Sequence, residues 1–232
     1  MLRLSLLLPL LLGAAAATAD VALEDCRISA GPGSPSIGAR CGELERPLNP
    51  DDPGAGTITL KIAVVPSLSL EPAGDAFVPI AGGPGASSIR FYAGWAHAFG
   101  RVRQDRDILL VDQRGTGESA PMACETEEDF READFTPEGI VMAIEECLDT
   151  LPYDPRFFTT SVAVRDLEAV RVALGYESLN LYGSSYGTRV AQHFARRFPE
   201  STRTIIIDGV VPPQVPLGPE IATESQRALD RV

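Results

Sequence analysis

Apolar positions along this chain fall into short blocks of two kinds. Residues 57–65 alternate with the period of two expected for a strand covered on one face. Residues 77–80, 108–111, 179–182 and 204–207 are instead short, largely continuous apolar runs. Runs of that length, bounded by turn residues, predict strands buried on both faces. Between them, 136–151 and 161–174 carry helical spacing, the second with Val164, Leu167, Val170, Val172 and Leu174 supplying an apolar side. A further helix is expected to run through 188–194, directly after the run at 179–182. Strands that alternate with helices predict a mostly parallel sheet with right-handed crossovers and helices on both faces. The segment 20–56 is rich in turn formers over 27–56 and reads as an N-terminal arm, and the chain shows no internal repeat.

The first residues have a different character. Residues 1–19 combine a basic Arg3, an apolar run over 4–12 and the small-x-small ending Ala17-Thr18-Ala19. That arrangement predicts a secretory leader, too short and wrongly flanked for a membrane span. No cysteine stands at the expected cleavage site, so a lipid anchor is not indicated, and a secreted or periplasmic location follows. The formal net charge of −12 offers no basic patch to a nucleic acid. The four cysteines suit an oxidising compartment. Of three possible connectivities we expect local pairing, Cys26 with Cys41 and Cys124 with Cys147; free buried thiols are the alternative. A zinc site has neither the spacing nor enough histidines, and no metal or cofactor is expected.

Three turns carry candidate chemistry. Gly183-Ser184-Ser185-Tyr186-Gly187 joins an apolar run to a helix, the context of a G-x-S-x-G nucleophile elbow. Such a turn puts a serine hydroxyl beside a helix N-terminus, whose free N–H groups can stabilise an oxyanion. Read blandly, it is a glycine turn with an N-capping serine. Ala81-Gly82-Gly83-Pro84-Gly85 ends the run at 77–80 and leaves backbone amides uncovered, although Gly and Pro also make ordinary loops. Asp112-Gln113-Arg114-Gly115-Thr116-Gly117-Glu118-Ser119 ends the run at 108–111 in a tight turn. Asp112, Arg114 and Glu118 are expected to brace that turn rather than touch a substrate.

In this order these segments, with Ile207-Asp208-Gly209-Val210, resemble the α/β-hydrolase peptidases of the proline iminopeptidase and tripeptidyl aminopeptidase family. The resemblance covers residues 57–213, and four ordered motifs are far more specific than one. Ala81 stands where the iminopeptidases usually carry histidine, which favours the tripeptidyl branch. A bridge like that of Cys124 to Cys147 also occurs in that branch. The resemblance implies Ser185 as nucleophile, the amides of Gly83 and Tyr186 as oxyanion donors, and a peptide or small ester as substrate. An esterase or lipase of the same fold is the alternative. A binding protein that kept this fold without its triad is another.

The triad order of this fold requires an acid and a histidine after the serine. Only His193 follows Ser185, and a helix would separate their α-carbons by roughly 12 Å, at about 1.5 Å per residue. His193 is therefore expected to be a packed or surface residue, and His97 precedes the motif on a predicted helix. Asp208 ends a strand where some hydrolases keep the acid, but the resembled family places it later. Residues 214–232 match the start of that family's cap region. The chain is thus expected to be the N-terminal part of a longer hydrolase, with a sheet incomplete beyond 204–207.

Overall fold

The computed structural model describes residues 21–124, 136–216, 218 and 221–231. The expected leader at 1–19 and the acidic stretch after Cys124 lie outside the described residues. Seven strands form one sheet: β1 (Glu24–Ser29), β2 (Ser36–Asn49), β3 (Asp52–Val65), β4 (Ala76–Ile80), β5 (Asp107–Val111), β6 (Leu179–Ser184) and β7 (Thr202–Asp208). Their spatial order is β1-β2-β3-β5-β4-β6-β7. From β5 through β4 and β6 to β7 every pairing is parallel, as the alternation of strands and helices predicts.

The other half of the sheet is antiparallel, and it corrects the reading of 20–56 as a turn-rich arm. β1 pairs with β2, β2 with β3, and β3 with β5, all antiparallel. The expected boundary at 56/57 falls inside β3, so these residues belong to the sheet itself. Gly42 shows why composition misled. A Cβ there would stand 2.6 Å from the Ala22 carbonyl oxygen, so this glycine serves a close approach within a strand, not a turn.

The helices are α1 (Ser88–Trp95), α2 (Pro137–Thr150), α3 (Thr160–Ala173), α4 (Tyr186–Arg197) and α5 (Ile221–Leu229); α1 packs on one face of the sheet and α3 and α4 on the other, whereas α2 buries none of its residues. The continuous apolar runs are explained by two cores that take alternate residues. Ile62, Val64, Val78, Ile80, Leu109 and Val111 pack with Val164, Leu167 and Val170 of α3 and with Val190 and Phe194 of α4. Ala63, Val65, Phe77, Ile108 and Leu110 pack on the opposite face with Tyr92 of α1 and Phe99. Neighbours in sequence thus serve opposite cores; the polar exception is Asn180 of β6, which is buried and donates to the Ala76 carbonyl while accepting from Thr204 Oγ1. At the β7 edge Ile205, Ile206 and Ile207 are 41%, 50% and 38% exposed.

Disulfides join Cys26 to Cys41 and Cys124 to Cys147. The first ties β1 to β2 across their shared register, with α-carbons 5.8 Å apart. The second anchors α2 to the segment after β5. Among the described residues no helix is long and apolar enough to cross a membrane.

Candidate active site

β6 emerges at the C-terminal end of the parallel strands, between β4 and β7. At its end Ser185 adopts φ 52° and ψ −120°, a left-handed backbone that a residue with a Cβ rarely takes. Tyr186 then opens α4. The flanking glycines are fixed by contact: a Cβ on Gly183 would collide with the Gly187 carbonyl, and one on Gly187 with the Ile80 carbonyl of β4. The turn is also clamped from β7, where the Asp208 carbonyl accepts from Ser185 N at 2.8 Å. Thr188 Oγ1 donates to the Ser185 carbonyl at 2.6 Å and accepts from Val211 N at 2.8 Å. Ser185 is exposed and strained, and its neighbours hold it there.

The loop after β4 lies against this serine. A Cβ on Gly82 would sit 2.8 Å from Ser185 Cβ and 3.3 Å from Ser185 Oγ, so only glycine lets the loop pass. Gly83 (φ 107°) and Gly85 (φ 109°) flank Pro84, with the Gly83–Pro84 peptide cis. Tyr186 N, at the first position of α4, has no acceptor within its own helix.

The turn after β5 holds that loop in place. Asp112 accepts from Ser87 Oγ at 2.7 Å, from Ile89 N at 3.1 Å and from Glu118 N at 3.3 Å. Ser87 in turn caps α1 through Arg90 N at 3.1 Å. Arg114 is buried and forms a bidentate pair with Asp166 of α3, at 2.6 and 3.0 Å. It also donates to the carbonyls of Leu48, Phe157 and Pro47. Glu118 contributes its backbone; its carboxylate is exposed, 3.8 Å from Lys61 Nζ. Asp166 was not singled out in the sequence. Its signal was an acid amid the residues that α3 buries, Ala163, Val164, Leu167 and Val170.

Neither histidine meets Ser185. His193 lies two turns along α4, its Nε2 3.5 Å from Ser161 Oγ. Burial, then the charges of Arg196 and Arg197, hold its imidazole below the ordinary value. His97 sits in the short 3₁₀ segment Ala96–Phe99, its ring 6.2 Å from that of Trp95. The Asp208 carboxylate is engaged by Tyr182 OH at 2.7 Å.

Burial, then that hydrogen bond, pushes the Tyr182 phenol up to about 12. Half-buried Tyr176, donating to Asp107 at 2.9 Å, and buried Tyr92 are raised as well. The native state thus keeps phenol protons that the unfolded chain releases near pH 10, so stability falls as pH rises through that window. Ultraviolet titration is expected to show at least three tyrosines ionising late, with full ionisation only on unfolding. A single transition near pH 10 for all five, with an unchanged melt, would contradict this.

The model of the α/β-hydrolase fold family matches residues 75–230, two-thirds of the chain. The chain belongs to the α/β-hydrolase fold family. Among its relatives, serine protease Hip1 of Mycobacterium tuberculosis strain H37Rv is 31% identical over 193 residues, covering 76% of this chain and 36% of that protein. Tripeptidyl aminopeptidase of Streptomyces lividans is 28% identical over 221 residues, covering 86% and 40%. Carboxylesterase B of Mycobacterium tuberculosis strain CDC 1551 is 29% identical over 195 residues, covering 76% and 37%. This α/β-hydrolase chain therefore spans between about a third and two-fifths of the length of the curated relatives it matches.

Proposed function

We propose that this chain carries the nucleophile and oxyanion half of an exported serine hydrolase of aminopeptidase type. The observation that carries the reading is Ser185, held in a strained left-handed turn with its hydroxyl against the Gly82-Gly83 loop. Ser185 Oγ attacks the scissile carbonyl carbon and gives its proton to a base. The amides of Gly83 and Tyr186 stabilise the resulting oxyanion, each worth about 100- to 1,000-fold in turnover. The amine leaves with that proton, and water then hydrolyses the acyl-enzyme. The base and its acid are assigned to residues outside this chain, since His193 and His97 are engaged elsewhere. The short span relative to its relatives supports that assignment. The leader at 1–19 and the two disulfides support export. Similarity to the named peptidases favours peptides; similarity to carboxylesterase B keeps an ester substrate as the second reading.

Fluorophosphonate labelling followed by peptide mass spectrometry tests the nucleophile. Ser185 is expected to be labelled rapidly and stoichiometrically in the full-length protein and slowly in the 232-residue chain. An unlabelled Ser185 in the full-length protein would end the proposal. Equally fast labelling of the short chain would return the base to His193 or His97. Hydrolysis of unblocked but not N-acetylated peptides would mark the aminopeptidase, and hydrolysis of simple esters alone would mark the esterase.

A further inference from the structure

The loop beside Ser185 lacks anchors of its own. Gly82, Gly83, Pro84, Gly85 and Ala86 carry no side chain able to form a hydrogen bond, and residues 83–86 are exposed. Within the loop, Ala86 N donates to the Gly82 carbonyl at 3.3 Å. Its placement therefore depends on its two ends. At one end, Ala81 N donates to the buried Ser88 Oγ at 3.2 Å. At the other stands Ser87, whose hydroxyl donates to Asp112.

Asp112 is 2% exposed, and its two carboxylate oxygens face different segments. Oδ1 accepts from Ser87 Oγ at 2.7 Å and from Ile89 N at 3.1 Å, at the start of α1. Oδ2 accepts from Glu118 N at 3.3 Å, across the 112–119 turn. Two of these donors are backbone amides that cannot reverse their role, one on each oxygen. An ionised carboxylate accepts on both sides, whereas an amide of the same size accepts on one and donates on the other. The Asp112 backbone is itself tied down, its N donating to the Lys61 carbonyl of β3 at 3.2 Å. A Cβ on Gly117 would collide with Oδ2, so the turn closes over the carboxylate. The negative charge also lies at the first turn of α1, where the helix favours an anion.

An oxyanion donor acts only where it meets the developing charge, and a drift of about 0.5 Å already weakens it. Removing one donor outright costs about 100- to 1,000-fold in turnover, and displacing it costs less. Ground-state binding gains little from that donor, so the loss falls on kcat and not on KM.

We propose that Asp112 is a positioning residue for the reaction at Ser185: through Ser87 it fixes where the Gly83 amide stands. The proposal rests on Ser185 as nucleophile and Gly83 as oxyanion donor. Phenyl trifluoromethyl ketone reports on that donor directly. Ser185 Oγ adds to its carbonyl carbon, the Oγ proton passes to the base, and the carbonyl oxygen becomes the oxyanion. The corresponding alcohol has a similar shape and forms no such bond. In the full-length protein, Asp112→Asn is expected to lower kcat on p-nitrophenyl acetate about 10- to 100-fold and to weaken the ketone by a similar factor. KM and alcohol binding are expected to stay within about twofold. Ser87→Ala, which cuts the link and spares the carboxylate, is expected to lose kcat and ketone affinity together. Ser87→Thr, which keeps the hydroxyl, is expected to recover most of that loss. A partly unfolded variant has fewer active sites, but those that remain keep their ketone affinity. Unchanged ketone affinity in Asp112→Asn and Ser87→Ala, with Ser185 still labelled by fluorophosphonate, would therefore overturn the positioning role alone. A parent protein in which neither the ketone nor fluorophosphonate reaches Ser185 would overturn the nucleophile and this proposal with it.

Discussion

Replacing Ser185 with alanine is expected to abolish hydrolysis by the full-length protein, a loss of about a million-fold in turnover. Alanine keeps the Cβ at φ 52°, so the backbone strain of the elbow is unchanged and the melting temperature should not move. Glycine at the same place is different. Ser185→Gly removes the Cβ that makes a left-handed backbone costly, and is expected to be equally inactive yet more stable by about 1 kcal/mol. Turnover on peptide and ester substrates, with calorimetry of the three proteins, checks both outcomes. Activity above about one part in a thousand in Ser185→Ala would assign the chemistry to another group. A glycine variant no more stable than the parent would remove the strain from the account.

Arg114→Ala is expected to destabilise the fold by about 3–5 kcal/mol. The side chains of Arg114 and Asp166 are 1% and 3% exposed, so removal of the guanidinium leaves a buried carboxylate that, among the described residues, faces only Arg46 at 3.3 Å. Arg114 also uses all five of its donors, and alanine would strand the carbonyls of Pro47, Leu48 and Phe157 as well. For a domain of this size that loss corresponds to a fall of roughly 10 °C in melting temperature. Lysine carries the charge but not the planar fork, so Arg114→Lys should recover only a part. The double variant Arg114→Met with Asp166→Leu removes both charges at similar volume and should lie closer to the parent than Arg114→Ala. Denaturant unfolding of the four proteins gives the comparison. A cost below about 1 kcal/mol for Arg114→Ala would show that this pair is not a structural anchor.

The parallel half of the sheet was legible because β4 and β5 are buried on both faces, and β7 carries the same kind of apolar run although it lies at the exposed edge. Phe77 and Val78, or Ile108 and Leu109, are apolar neighbours that serve opposite cores, and such runs stand out in a sequence. Of the antiparallel half only 57–65, now part of β3, was legible; β1 and β2 were not. β2 keeps only Ala39 and Leu44 fully buried, and its Gly38, Gly42 and Pro47 mimic turn composition. The elbow could be read because close backbone approach demands Gly183 and Gly187 at fixed offsets from Ser185. Asp166 was hidden for the opposite reason. Its partner Arg114 is 52 residues away, and nothing local marks an acid as paired. α1 was missed because it is a single short element of eight residues, defined by its Ser87 cap and the burial of Tyr92 more than by periodicity.

The two alternating cores also set how freely this sequence can drift. Along β4, all five residues are buried, so a polar codon at any of them meets one core or the other. β5 is nearly as closed. Along β2, burial is sparse, and its charged residues face outward apart from Arg46, which reaches the buried Asp166. A saturation library should therefore show no even–odd rhythm of tolerance in β4 or β5, where both parities are forbidden. In β2, permissive positions should separate the few forbidden ones, Ala39, Gly42 and Leu44. Among the strands, neutral variation is thus open mainly to β2 and the exposed edge strand β7, while β4 and β5, whose ends carry two of the reactive turns, stay close to a single solution.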